Sequence, residues 1–214
     1  MNVNKLIDHT LLKANATKDQ ITKLCNEAIK YEFASVCVNT CWVDYCHGLL
    51  QGSDVKVCCT VGFPLGANAT PVKVFEAGNA IKDGAHEIDM VINIGEFLSG
   101  NYGMIENEIK EVVAVADGHC VKVIIETCLL NDEQIIKACE LVSKTKAAFV
   151  KTSTGFSTGG ANPRIVKLMK DTVGDTVKVK AAGGVRNKEE LKLMIEAGAD
   201  RIGTSSGVAL VSDE

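Results

Sequence analysis

Two lysines stand at the ends of two apolar runs. In "AAFVKTSTGF", Lys151 follows Ala-Ala-Phe-Val and precedes a polar loop, and in "VKVKAAGG" Lys180 has the same setting. An ammonium at such a junction is costly unless a counter-charge holds it or it gives up its proton. A carboxylate, Asp89, lies inside a third apolar run, "EIDMVIN". These three residues support two chemistries. In one, Asp89 balances a buried lysine while the other lysine extends to solvent, an ordinary structural ion pair. In the other, one lysine is a nucleophile. A free lysine of pKa about 10.4 is only about 0.1% unprotonated near neutral pH. A neighbouring ammonium and partial desolvation both disfavour the charged form. Lowering the pKa to about 7.5 raises the free amine roughly 500-fold. Such an amine condenses with a carbonyl compound to a Schiff base, with the second lysine as electrostatic perturber and the aspartate as proton shuttle.

The elements around these residues alternate regularly. Strand-like runs lie near 6–10, 35–39, 56–62, 87–93, 122–127, 149–153, 178–182 and 201–205, with amphipathic helix-like segments between them. Thr17, Asn131 and Asn187 each precede a Gln or Glu by three residues, the spacing of a capping box. Thr70-Pro71 and Asn162-Pro163 place a cap residue before a proline at the first helical position. Gly84, Gly118, Gly174 and Gly198 fall where helices should stop. Strict βα alternation implies parallel strands joined by crossover helices. Eight strands with short βα turns favour a closed (β/α)8 TIM barrel over an open sheet. No linker interrupts residues 1–214, so a single domain is expected. The last helix is short, since only "SGVALVSDE" follows the eighth strand.

In such a barrel the chemistry sits at the carboxyl ends of the strands. A period of two puts Ile88, Met90 and Ile92 against the helices and Glu87, Asp89, Val91 and Asn93 toward the axis. Phe149, Lys151 and Ser153 share one face, as do Lys178, Lys180 and Ala182. Asp89, Lys151 and Lys180 can therefore converge. Lys178 lies nearer the barrel bottom and reads as solvated or structural. "AAGGVR" after the seventh strand and "GTSSG" after the eighth offer Gly183, Gly184, Ser205 and Ser206 where barrels often bind phosphate. Glu126 ends the fifth strand and either reaches the site or anchors a loop. Phe63, in the rigid "GFPLG" loop, borders the pocket. His9 reads as a hydrogen-bonded structural residue beside Asp8, and His86 and His119 as surface residues.

Bulk properties narrow the classes. The 214 residues are 46% apolar and 23% charged, with a net charge of −4. That balance gives no basic footprint for nucleic acid. The apolar runs are too short to span a membrane, and the N-terminal segment lacks a signal peptide's apolar core. Nine cysteines, several inside apolar runs, read as reduced thiols in a cytoplasmic protein rather than a disulfide framework. Cys37, Cys41, Cys46 and His47 cluster in sequence but match no zinc spacing. Neither a metal nor a cofactor is expected.

Six motifs in order, "VGFPLG", "EIDMVIN", "VIIET", "FVKTSTGF", "VKAAGGVR" and "RIGTSSG", together with "LIDHTLL" near the start, closely resemble the deoxyribose-phosphate aldolase family. The resemblance covers nearly the whole chain. It implies that Lys151 forms the Schiff base, that Lys180 depresses its pKa, and that Asp89 relays protons. Asp8 and Cys37 lie in segments resembling substrate-side positions. Thr154, Gly155, Gly183, Gly184, Ser205 and Ser206 would hold the sugar and its phosphate. The implied reaction is reversible cleavage of 2-deoxy-D-ribose 5-phosphate to D-glyceraldehyde 3-phosphate and acetaldehyde, in deoxyribose phosphate catabolism. Family habit points to a homodimer. Two departures stand out. Where some members carry a lysine after the "KTSTG" glycine, this chain has Phe156, so the phosphate leans on backbone N–H groups and Arg186. It also stops at Glu214 without the C-terminal tyrosine of some members, leaving proton transfer there to water or another group.

Overall fold

The alternation closes on itself. In the computed structural model, which describes residues 2–212, eight parallel strands form a barrel in chain order. They are β1 (Ile7–Leu11), β2 (Ser35–Val38), β3 (Lys56–Val61), β4 (Glu87–Val91), β5 (Cys120–Ile124), β6 (Phe149–Lys151), β7 (Lys178–Ala182) and β8 (Arg201–Thr204), with β8 pairing back to β1. The helices are α1 (Lys18–Lys30), α2 (Val43–Leu49), α3 (Thr70–Lys82), α4 (Ile94–Leu98), α5 (Tyr102–Val115), α6 (Asp132–Ser143), α7 (Pro163–Val173), α8 (Lys188–Glu196) and α9 (Gly207–Val211). The last helix is short, five residues, as expected, and Asp213 and Glu214 lie outside the described residues. No helix among the described residues is long and apolar enough to cross a membrane.

Local sequence accounts for most helix ends. Thr17 and Asn131 form complete capping boxes with Gln20 and Gln134, satisfying N–H groups that a helix start leaves orphaned. Asn162 caps α7 directly before Pro163. Gly84, Gly118, Gly174 and Gly198 take positive φ just past their helices. Two caps differ from expectation. Ala69 is the N-cap of α3, so Thr70 already lies in the helix and its hydroxyl turns to Glu108 at 3.5 Å. Asn187 caps α8, but the Glu190 carboxylate accepts from Arg186 N at 2.7 Å instead of completing the box.

The apolar core lies between the strands and the helices. Ile88, Met90, Val123, Val179 and Ile202 pack there with helix residues such as Ile21, Val112, Ile135 and Val166, all buried. Each such side chain contributes about 1.5–3 kcal/mol relative to exposure. The barrel axis is different: the register pairs Asp89 with Lys122, Lys151 with Lys180, and Lys180 with Arg201. Alternation turns these residues inward, so the middle of the barrel is a column of charge. Asn93, expected on the same face, caps α4 through Glu96 N instead.

Candidate active site

One carboxylate collects three ammonium groups. Asp89 Oδ2 accepts from Lys151 Nζ at 2.6 Å and from Lys180 Nζ at 2.7 Å, and Oδ1 accepts from Lys122 Nζ at 2.9 Å. Lys180 continues to Asp8 Oδ2 at 2.5 Å, and Lys122 to Glu87 Oε2 at 2.5 Å. Arg201 closes the far end, 2.7 Å from Asp8 Oδ1 and 3.2 Å from Glu87 Oε2. Asp8, Asp89, Lys122 and Lys180 are fully buried, and Lys151 is 3% exposed. Removing so many charges from water is tolerable only because each meets an opposite charge.

The electrostatics follow from this packing. Burial pushes the Asp8 and Asp89 carboxyls up, but their lysine neighbours outweigh it and hold both below the usual carboxylate range. Burial pushes Lys180 and Lys122 down, and the carboxylates outweigh it, holding both ammoniums above the ordinary lysine value. Four cations (Lys122, Lys151, Lys180, Arg201) thus face three anions (Asp8, Glu87, Asp89), one positive charge in excess.

Of this cluster, only Lys151 lines the cavity of about 380 Å³ at the carboxyl ends of the strands. Thr154, Gly155, Gly183, Gly184 and Ser205 line the same cavity. Ser206 lies beside it, in a cleft it shares with His9 and Ser205. Asp8 sits beneath, bound to Lys180. Cys37 is fully buried and absent from the cavity wall; a hydrogen bond with Cys58 draws its thiol below the ordinary cysteine value, against the effect of burial. Cys58 in turn donates to Asp89 Oδ1 at 3.2 Å.

The loops are held by specific devices. Glu126 adopts a left-handed φ of 51° at the end of β5, unusual for a residue with a side chain. Its carboxylate accepts from Thr154 N and from the Thr154 hydroxyl, so Glu126 anchors the loop after β6. A Cβ on Gly160 would lie 2.3 Å from Gly183 O, and Gly183 itself has φ +82°. Backbone thus packs on backbone beneath the cavity, which only glycine allows.

Other candidates resolve differently. His9 Nε2 lies 2.8 Å from Glu27 Oε2, the structural role expected. His86 is not a surface residue: it is half-buried, and its Nδ1 accepts from Val57 N at 3.1 Å. Lys178 is exposed and lies over the Phe149 ring. Cys46 pairs with Cys25, and His47 with Gln51. Among the described residues, Cys37, Cys58 and Asp89 have ligand atoms within 4.8 Å of one another. Two of these three groups already meet a cation, since the Lys122 ammonium lies 3.3 Å from Cys58 Sγ and 2.9 Å from Asp89 Oδ1.

The chain is similar to known proteins along nearly its whole length. A profile of the DeoC/LacD family aldolases matches residues 3–211. The chain belongs to this aldolase family. The aldolase is 59% identical to a deoxyribose-phosphate aldolase of Geobacillus sp. (strain WCH70), over 98% of this chain and 95% of that one. It is 56% identical to that of Streptococcus sanguinis (strain SK36), over 100% and 97%. The tetrameric deoxyribose phosphate aldolase of Aeropyrum pernix superposes with a TM-score of 0.91 at 34% identity, over 97% of this chain and 88% of that one.

Sequence reasoning about this aldolase missed Lys122, Arg201, Glu87 and Cys58 as members of the charge cluster. A signal for Lys122 existed: "CVKVIIET" places a lysine in an apolar run, as for Lys151 and Lys180. Reading the strand as 122–127 set Lys122 at its edge. The strand starts at Cys120, which places Lys122 in mid-strand opposite Asp89.

Proposed function

We propose that this aldolase reversibly cleaves 2-deoxy-D-ribose 5-phosphate to D-glyceraldehyde 3-phosphate and acetaldehyde through a Schiff base on Lys151. The observation that carries the reading is that Lys151, alone of the buried charge cluster, borders the cavity. The charge count supports it: loss of one proton from Lys151 leaves three cations facing three anions. Lys180 and Lys122, held as ammoniums by their carboxylates, are the perturbing charges.

The steps follow. The neutral Lys151 amine adds to the C1 aldehyde carbon of the open-chain sugar, giving a carbinolamine. A proton delivered to its hydroxyl lets water leave, forming the iminium. The C3 hydroxyl then loses its proton and the C2–C3 bond breaks, its electron pair flowing to the iminium nitrogen. Glyceraldehyde 3-phosphate departs and the two-carbon enamine remains. Protonation at C2 and hydrolysis return acetaldehyde and the free amine. Asp89, 2.6 Å from Lys151 and 2.7 Å from Lys180, is placed to move the protons between them. Asp8 holds Lys180 in position. Thr154, Gly155, Gly183, Gly184, Ser205 and Ser206 hold the sugar and its phosphate, with Arg186 and Lys13 as cations on the same cavity wall.

The test is reductive trapping. Acetaldehyde with borohydride should leave a single ethyl group, about 28 Da, on Lys151. Labelling spread over surface lysines, or none, would return Lys151 to an ion-pair role. In the same reading the chain works as one barrel domain in the cytosol, where its nine unpaired thiols would stay reduced. It acts there in deoxyribose phosphate catabolism. A homodimer is part of the reading, supported by the exposed Val72 and Phe75 one turn apart on α3. Sedimentation at micromolar concentration would test it, and a monomer mass would reject it.

A further inference from the structure

Four loops at the barrel mouth are chained one to the next. Glu126, after β5, binds Thr154, after β6. Ala161, later in that second loop, donates its N–H to Gly183 O at 2.9 Å in the loop after β7. The last link is a hydroxyl. Thr204, the final residue of β8, donates from Oγ1 to Val185 O at 2.7 Å and accepts from Ser206 N at 3.0 Å. Thr154 uses the same device earlier in the chain of loops: its hydroxyl binds Glu126 and accepts from Phe156 N at 3.0 Å. In each case a threonine closes a turn on the amide two residues ahead and directs its own proton to the preceding loop.

The Thr204 hydroxyl faces away from the reacting centre. Alternation in β8 turns Arg201 toward the axis, where it meets Asp8, and Ile202 into the core between strands and helices. Thr204 shares the face of Ile202, so its side chain leaves the axis. Thr204 and Val185 are both buried. An apolar side chain at 204 would leave the Val185 carbonyl and the Ser206 amide unpaired, which buried backbone rarely tolerates. Beneath, the loop after β8 rests on the first strand and its neighbour: a Cβ on Gly207 would lie 2.8 Å from His9 Nδ1 and 3.1 Å from Phe33 Cε2. With that floor fixed, the spacing left to set is the one to the loop after β7, and Thr204 sets it.

We propose that Thr204 is a positioning residue for the phosphate, the clasp that holds the loops after β7 and β8 at the spacing a phosphate group needs. This rests on the reading above, in which Gly183, Gly184 and Ser205 hold that group. Ser205 is flanked by the two ends of the clasp's own turn, Thr204 and Ser206. Without the hydroxyl, Val185 O and Ser206 N turn to water and Ser205 moves with them. Lys151 stands on β6 and its ion pairs do not involve Thr204, so the aldehyde chemistry is left in place.

The experiment compares cleavage of 2-deoxyribose 5-phosphate with cleavage of 2-deoxyribose. Thr204→Val should raise KM for the phosphosugar about ten-fold or more, while kcat/KM for 2-deoxyribose stays within about two-fold of wild type. Thr204→Ser keeps the hydroxyl and should bring KM for the phosphosugar back to within about three-fold of wild type. A KM within about two-fold of wild type in Thr204→Val overturns the proposal, as do equal losses on the two sugars or a serine variant as impaired as the valine variant. Thr204→Ala, which adds no branch, carries the same comparison if Thr204→Val does not fold. Insoluble protein from both would make the hydroxyl a requirement of the fold and also overturns the proposal. Wild-type protein that cleaves neither sugar, or both with equal kcat/KM, overturns the underlying reading of the phosphate site. Wild-type protein that prefers the phosphosugar, with unmoved variants, overturns this inference alone.

Discussion

Lys122 tests the charge count at the scale of one residue. It gives Asp89 and Glu87 their closest shared cation, at 2.9 and 2.5 Å, with no exposure to solvent. Lys122→Met would leave both carboxylates under-compensated in a buried site. We expect a loss of about 3–5 kcal/mol in urea unfolding, the usual cost of breaking a buried pair from one side. An unfolding free energy unchanged from wild type would mean that Lys122 is not needed to balance the two carboxylates.

At the scale of elements, the loops after β5, β6 and β7 form one unit beneath the cavity. Glu126 holds Thr154, and Gly160 lies on Gly183. Gly160→Ala places a methyl 2.3 Å from a carbonyl oxygen, so the two loops must part. KM for the phosphosugar should rise about ten-fold or more while trapping of acetaldehyde on Lys151 persists, because the lysine sits on a strand and the glycines on loops. Glu126→Gln keeps the shape but weakens the charge-assisted bonds to Thr154. A loss of about 1.5–3 kcal/mol in thermal unfolding is expected.

The whole molecule has a pH window that the buried column dictates. Asp8 and Asp89 have depressed values when folded, so below about pH 4 the unfolded chain takes up protons that the native chain does not. Their contribution is complete above that point and lost as pH falls further. Lys122 and Lys180 have raised values, so above about pH 10 the unfolded chain releases protons that the native chain keeps. Their contribution is complete below that point and lost as pH rises. Unfolding free energy from denaturant titrations should fall on both sides of that window. A second global property is the contrast between a net charge of −4 and a cavity lined by Lys13, Lys151 and Arg186, with no carboxylate among the described residues. Raising ionic strength from about 0.05 to about 0.5 M should increase KM several-fold for 2-deoxyribose 5-phosphate and leave it unchanged for 2-deoxyribose.

Alternation, caps and stops could be read along the chain because they depend on neighbours a few residues apart. Thr17 with Gln20, Asn131 with Gln134, and the glycines after the helices needed nothing more. Lys151, Lys180 and Asp89 were legible for a related reason: a charge inside an apolar run is costly and must have a partner. What tertiary structure alone decided was which partners meet. Strand register places Lys122 opposite Asp89, and closure of β8 onto β1 brings Arg201 to Asp8 across 193 positions of chain. The Glu126–Thr154 anchor, the half-buried setting of His86 against Val57 and the contact of Phe63 with Phe156 likewise join residues far apart in the chain. A local pattern specifies an element, but a site built where eight elements converge depends on their relative rotation and shift, which no single segment encodes.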